Sequence, residues 1–397
     1  MPISRKMQGF AERSSWIRKM FEEGTRLKAQ YGAANVFDFS LGNPDLPPPP
    51  ALVERLRELV AREAPGVHGY MPNAGFPYVR AAVAEQVSRE QAVALTGDDV
   101  LLTCGAAGGL NVVFKTLLDP EDEVLVPVPY FVEYDFYVDN HGGRLVKVPT
   151  RPDFSLDLGA MAAAIGPRTK AVLVNSPNNP TGQIYDAGSL AELARLLTEA
   201  SQRQGSPIYL VADEPYRKIV FDGAEVPPVL ASYPASILVS SSSKDLSVPG
   251  ERIGYIAVHP AMPDRAALLG GLTLANRILG FVNAPALQQR LLASLAGVSV
   301  DAGIYQRRRD VLCAMLAAAG YEFQKPRGAF YLFPRSPLAD DVAFVGFLRD
   351  QRVLAVPGRG FGAPGFFRLA FCVDETVIQR AEPGFRAALA AAKGGGA

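Results

Sequence analysis

The sequence predicts an α/β fold: a mostly parallel central sheet with helices on both faces, joined to a smaller α+β domain. Three observations carry this expectation. Short apolar runs recur at 100–103, 123–126, 145–148, 171–174, 208–211, 237–240 and 254–258. They are apolar at nearly every position, the pattern of strands buried on both faces rather than on one. Helical stretches separate them, so successive strands are returned to the same direction by crossover connections.

Taken in order, residues 12–31 read as an amphipathic helix and 37–41 as strand-like. Residues 47–50 are four prolines, which must be extended; a connector explains them better than a docking peptide. The alternation of helix and short strand runs from about residue 51. Residues 288–316 read as one long helix, and 330–333 and 366–371 as strands beside helices. Residues 393–397 read as a frayed glycine-rich tail. The expected organisation is an N-terminal arm with part of the small domain (1–50), a large domain (51–287) and a C-terminal small domain (288–397).

Composition narrows the function classes. The 397 residues are 48% hydrophobic and 20% charged with zero formal net charge, an ordinary globular balance that argues against nucleic acid or an anionic membrane as the main partner. No apolar run approaches the ~18 residues of a membrane span. The first ten residues carry basic groups but no apolar core of a secretory signal, which predicts a cytoplasmic protein. Cys104, Cys313 and Cys372 form no paired motif, and His68, His141 and His259 show no metal-ligand spacing, so no metal is expected.

The chemistry concentrates in Ser240-Ser241-Ser242-Ser243-Lys244-Asp245, followed by Gly250-Glu251-Arg252. A lysine that forms an imine must be neutral at working pH, so its surroundings must disfavour the ammonium. Hydroxyls beside an arginine suit a phosphate dianion. Together they fit a phosphorylated aldehyde held covalently, although the segment alone also reads as a solvated turn. Asp213 follows the 208–211 run, where α/β sheets place ligands, and Tyr216 lies three residues on; the competing reading is a helix cap. Asn179-Pro180-Thr181-Gly182 ends the 171–174 run in a rigid turn, with Asn179 pushed out of the helical region by the proline, or it is an ordinary loop.

In this order and spacing, Lys244 with Arg252, Asp213 with Tyr216 and the Asn179–Gly182 turn resemble the class I/II (fold type I) aminotransferases that depend on pyridoxal 5'-phosphate, in particular the bacterial aspartate-aminotransferase-like subgroup. The resemblance extends from the segment at Gly42 to Arg368. It implies transfer of an amino group between an amino acid and a 2-oxo acid through a Lys244 imine. Asp213 would protonate the ring nitrogen and Tyr216 would bond the ring hydroxyl. The backbone of Gly105, Ala106 and Ala107, with Ser241, Ser243 and Arg252, would hold the phosphate. Phe131 would stack on the ring. Gly42, Asn179 and Arg368 would bind the substrate α-carboxylate. Tyr70 would reach the phosphate of a neighbouring subunit, implying a homodimer with shared sites. The same motifs serve other reactions of this cofactor: β-elimination, decarboxylation, racemisation and oxidation. A non-catalytic ligand sensor is disfavoured because no basic helix-turn-helix precedes the fold.

The sequence departs from the family at one point. The arginine that takes a distal carboxylate in the best-known subgroup aligns with Ile278, with Arg277 adjacent, when Asn283-Ala284-Pro285 is matched to the family turn. A dicarboxylate preference is therefore not expected from this position.

Overall fold

The computed structural model describes residues 2–12, 16–62 and 64–394. Twelve strands are present among them: β1 (Phe37–Asp38), β2 (Val100–Thr103), β3 (Glu123–Val128), β4 (Arg144–Pro149), β5 (Thr169–Asn175), β6 (Tyr209–Asp213), β7 (Ser236–Ser241), β8 (Gly254–Val258), β9 (Tyr331–Leu332), β10 (Val353–Leu354), β11 (Val356–Pro357) and β12 (Phe367–Ala370). Seven of them form the main sheet in the order β2-β8-β7-β6-β5-β3-β4. All neighbours in it are parallel except β8, which runs antiparallel to both β2 and β7. The central strands are closed to water on both faces: Val172, Leu173, Leu210, Val211 and Ile237 are fully buried. This is why their sequences read as continuous apolar runs.

The register explains where a site can form. Thr103 and Ser241 both pair with Gly254. Asn175 pairs with Asp213. The carboxyl ends of β2, β5, β6 and β7 therefore lie along one edge, the edge at which β8 begins. The loops leaving these strands supply the polar side chains, while the strands themselves stay apolar.

A second core joins the chain termini to the segment after β6. It packs Phe39, Tyr216, Ile219 and Phe221 against Tyr305, Phe330, Phe344, Phe367 and Phe385. β1 pairs in parallel with β10, and β11, β12 and β9 form a small antiparallel sheet. Arg309 is fully buried here; its guanidinium stacks on Phe221, bonds Asp222 and donates to the carbonyl of Pro326. Aspartates 157, 186, 301, 340 and 374 cap helices by accepting from backbone amides of the first turn.

The 12–31 helix expectation is met by Trp16–Tyr31, preceded by a separate helix Arg5–Glu12; residues 13–15 lie outside the described residues. The single helix expected over 288–316 is two, Ala286–Leu292 and Ala302–Ala319. The break has a local cause. Gly297 takes positive φ, and Asp301 caps the second helix by accepting from the Gly303 amide. Residues 393 and 394, expected in a frayed tail, belong to the last helix, which extends to Gly394; 395–397 lie outside the described residues. No described helix is long and apolar enough to cross a membrane.

Gly254 is the tightest point of the edge that carries the site. A Cβ there would lie 2.6 Å from the Ser240 carbonyl oxygen and 2.7 Å from the Gly105 carbonyl carbon, both backbone. Gly254→Ala must therefore displace β7 or the turn at Gly105. The expected loss is roughly 1–3 kcal/mol, read as a lowered Tm. Gly250→Ala is the control, because a Cβ there meets nothing within 4 Å. Equal Tm values for the two variants would show that the edge is not closely packed.

Candidate active site

One cavity of about 340 Å³ opens at this edge. Lys244, Asp213, Tyr216, Ala106, Ala107, Phe131, Asn179, Ser241, Ser243, Arg252, Gly42 and Arg368 all line it. Gly105 does not line the cavity itself, but a Cβ on it would lie 2.6 Å from the Arg252 guanidinium. Of the residues singled out in the sequence, Tyr70 stands apart: it is 92% exposed and lines no part of this cavity.

Asp213 is the last residue of β6 and is buried. Its Oδ2 accepts the Tyr134 hydroxyl at 2.6 Å, while its buried Oδ1 has no partner. Burial drives its pKa up to about 7, against the lowering effect of the Tyr134 bond. Its backbone is tied to β5 by the Asn175 amide, which donates to the Asp213 carbonyl at 2.8 Å. Asn175 Oδ1 in turn accepts the Asn179 amide at 2.8 Å, linking the Asn179–Gly182 turn to the same strand ends.

Lys244 follows β7 and points into the cavity, where its amine donates to the Gly42 carbonyl at 3.0 Å. The Nζ lies 5.9 Å from the Tyr216 ring centroid and 5.6 Å from that of Phe330. Burial draws its pKa down to about 8, and the cations of Arg368 and Arg252 add to the depression. Tyr216 shares a hydrogen bond of 2.9 Å with Tyr331. Gly42 fits against the same tyrosine: a Cβ on it would lie 1.9 Å from the Tyr331 oxygen.

Arg368, in β12, is 1% exposed. It donates to Asn179 Oδ1 at 3.0 Å and to the Ser40 carbonyl at 2.6 Å. The rings of Tyr331 and Phe361 flank the guanidinium at 4.7 and 4.8 Å. Its Nε is buried without a partner, and no carboxylate pairs with it among the described residues. At the other end of the cavity, Arg252 takes positive φ and donates to the Pro249 carbonyl at 2.8 Å, beside the first turn of the helix Gly105–Leu117. Ser241 and Ser243 hydroxyls lie 3.1 Å apart on the same side. Such a helix start, two hydroxyls and a guanidinium form an anion-binding group.

Sequence reasoning passed over several lining residues. Tyr134 reads as a core aromatic and is indeed buried, yet its hydroxyl donates to the Asp213 carboxylate. Asn175, Tyr137, Tyr331 and Glu133 also line the cavity. Asn175 ends an apolar run, which was the available signal. The others lie on a short helix or in the second core, where pattern alone does not assign them. Glu133 carries a charge into the cavity, and burial raises its pKa. Neither Ile278 nor Arg277 lines it; Ile278 is 57% exposed.

Comparison with known proteins addresses the family and the fold. The model of the family "Aminotransferase class I and II" matches residues 34–382. The aspartate/prephenate aminotransferase of Thermus thermophilus is 36% identical over 346 residues, 86% of this chain and 87% of the relative. A crystal structure of an amino transferase from Eubacterium rectale superposes with a TM-score of 0.94 at 38% identity, covering 97% of this chain and 98% of that one. The aspartate aminotransferase of Thermus thermophilus with maleate superposes with a TM-score of 0.86 at 31% identity, over 98% and 100% of the two chains. A match over most of the sequence, on the same fold and at the edge where the polar cavity lies, means that this chain belongs to the aminotransferase class I and II family.

Proposed function

We propose that the protein uses pyridoxal 5'-phosphate to move an amino group between an L-amino acid and a 2-oxo acid, with Lys244 as the proton-carrying base. One observation carries this reading: a buried primary amine, its pKa drawn down to about 8, faces one cavity with a carboxylate and a guanidinium that lack charged partners. Each of the three is incomplete without a ligand.

The residues fit the cofactor. The partnerless Oδ1 of Asp213 suits a protonated ring nitrogen. Tyr216 offers a phenol to the ring hydroxyl, and Phe131 a π face. The amides of Gly105, Ala106 and Ala107, with Ser241, Ser243 and Arg252, suit the phosphate. Lys244 would hold the aldehyde carbon. When bound, pyridoxal phosphate supplies the electron sink for the charge left when Cα loses its proton. Arg368, with its free Nε, binds the substrate α-carboxylate beside Asn179 and Gly42. That grip fixes Cα, so Lys244 can take its proton and return one on the same side of the cavity. Its lowered pKa keeps a useful fraction of neutral amine near pH 7 to 8. The cavity wall of Tyr331, Phe131 and Leu41 limits water at the reacting carbon.

The test is a pair of half-reactions. The purified enzyme should lose its visible absorbance with an amino acid and regain it with a 2-oxo acid. Lys244→Ala should lose turnover by about three decades or more, the scale of removing a catalytic base. Irreversible bleaching would favour elimination or decarboxylation instead, and normal transamination by Lys244→Ala would reject the reading.

We also infer a homodimer with shared sites. The exposed Tyr70, away from its own cavity, supports it, as does the resemblance of its segment to one that crosses to a neighbouring subunit. Sedimentation should give two chains at micromolar concentration; a fully active monomer would contradict it.

For the donor, the reading is a preference for side chains without a second carboxylate. Ile278 stands where the resemblance would put the arginine for a distal carboxylate, and the Glu133 carboxyl lines the cavity. We infer from this that the aspartate names of the relatives are not carried over to this chain, although a cation at Arg277 would restore them. Aspartate should not exceed leucine, methionine or phenylalanine in kcat/KM by about a hundredfold, the roughly 3 kcal/mol that a dedicated ion pair provides. Glu133→Gln should raise kcat/KM for aspartate severalfold. A strong aspartate preference that Glu133→Gln leaves untouched would contradict the proposal.

A further inference from the structure

The helix Glu133–Asp139 carries three acids, and their surroundings differ. Asp135 accepts from the Tyr130 hydroxyl and lies 3.5 Å from the Lys147 amine. Asp139 pairs with Lys6. Glu133 takes no hydrogen bond and no ion pair at its carboxyl among the described residues. It is also the acid of the three that lines the active-site cavity. Burial raises its pKa, and no cation stands near enough to oppose the rise. Arg252 does not serve it: burial, with the Glu133 and Asp213 carboxyls, raises the pKa of Tyr137 one turn on, and Arg252 opposes that rise, yet it has no such effect on Glu133. A carboxylate in a first helical turn favours the helix, but Asp135 sits in the same turn and has that role without lining the cavity.

The cavity is lined by five acids and bases: Glu133, Asp213, Lys244, Arg252 and Arg368. On the reading above, the cofactor and the common part of an amino acid answer four of them. The ring nitrogen answers Asp213, the phosphate Arg252, the aldehyde carbon Lys244 and the α-carboxylate Arg368. Glu133 is left over, and what is left of the donor is its side chain. A half-buried carboxylate beside apolar walls is costly without a counter-charge. Leu41, Ala107 and Leu110 line the same cavity and offer apolar surface to methylene groups. An apolar stem that ends in a cation matches both features.

We propose that Glu133 selects the donor by receiving the side-chain ammonium or guanidinium of a basic L-amino acid. The α-amino group is the one transferred, because the α-carboxylate is the group that Arg368 grips. The donor leaves as a 2-oxo acid whose side-chain cation is unchanged. Glu133 is thus a specificity residue and takes no part in moving the Cα proton.

This inference rests on the cofactor reading, and the test separates the two. The holoenzyme is given donors matched in shape and different in charge: lysine against norleucine, and arginine against citrulline. In the wild type the cationic member of at least one pair should have the higher kcat/KM, by about tenfold or more. Glu133→Gln should lower that ratio by about tenfold or more, chiefly through KM of the cationic donor, as expected when a binding contact is lost. Glu133→Lys should invert the ratio. Equal kcat/KM within both pairs overturns the proposal, since a neutral side chain then serves as well as a charged one. So does a Glu133→Gln variant that slows both members of a pair alike, which marks a structural group, or one that separates the two chains in sedimentation, which marks a contact between them. If the cofactor reading itself fails, no donor changes the visible absorbance. If only the present inference fails, lysine and norleucine both bleach it reversibly and to the same degree.

Discussion

Two buried ionisable groups, the acid Asp213 and the base Arg368, face the same cavity, and neither forms an ion pair among the described residues. Lys244 lies with them. Removing such groups from water without a partner costs several kcal/mol each. The fold must therefore supply stability from elsewhere and hold the groups where only a ligand can complete them. Hydrogen bonds from neutral partners do part of this: Tyr134 for Asp213, Asn179 and the Ser40 carbonyl for Arg368, the Gly42 carbonyl for Lys244. Each leaves one atom or one proton position free.

The rest of the structure follows from keeping these groups fixed. β5, β6 and β7 are buried on both faces; Asn175 pairs with Asp213, Asp213 with Val239, and Ser241 extends two residues further to pair with Gly254, which ties the three strand ends together. Gly254 lets β8 start against the turn at Gly105, which brings the helix start and Arg252 together. Arg368 comes from β12 beside the second core, in which Tyr216 packs and shares a hydrogen bond with Tyr331. The cavity is thus built from both cores, with Lys244 and Asp213 on the sheet edge and Arg368 on the small sheet.

Much of this was legible in the chain before any coordinates. Buried parallel strands announce themselves as apolar runs, and the residues that end them stand out because they are polar. Asp213 and Asn179 stand out that way, and Lys244 by the run of hydroxyls before it and the arginine eight residues on. Arg368 is reached through the resemblance to the family. Tyr134 and Tyr331 could not be found from the pattern, because a buried tyrosine looks the same in a core as against a carboxylate. The break between Leu292 and Ala302 was missed because an alanine- and leucine-rich stretch masks the glycine and the capping aspartate that end one helix and start the next.

The central claim is that Asp213 is held by the fold in a site that disfavours its charge until a cation arrives. In the cofactor-free protein its pKa is raised from 3.8 to about 7 by burial, so the folded state binds a proton that the unfolded state releases. This contribution to stability is complete below about pH 4 and is lost as pH rises through about 7. Glu214 and Asp245 shift in the same direction, but they are common to the wild type and to Asp213→Asn and cancel in the comparison. The decisive measurement is Tm against pH for cofactor-free wild type and Asp213→Asn. The wild type should fall more steeply between pH 4 and 8, by an amount on the order of 4 kcal/mol at full ionisation, and the extra slope should vanish when pyridoxal phosphate is added. Parallel curves with and without the cofactor would contradict the account.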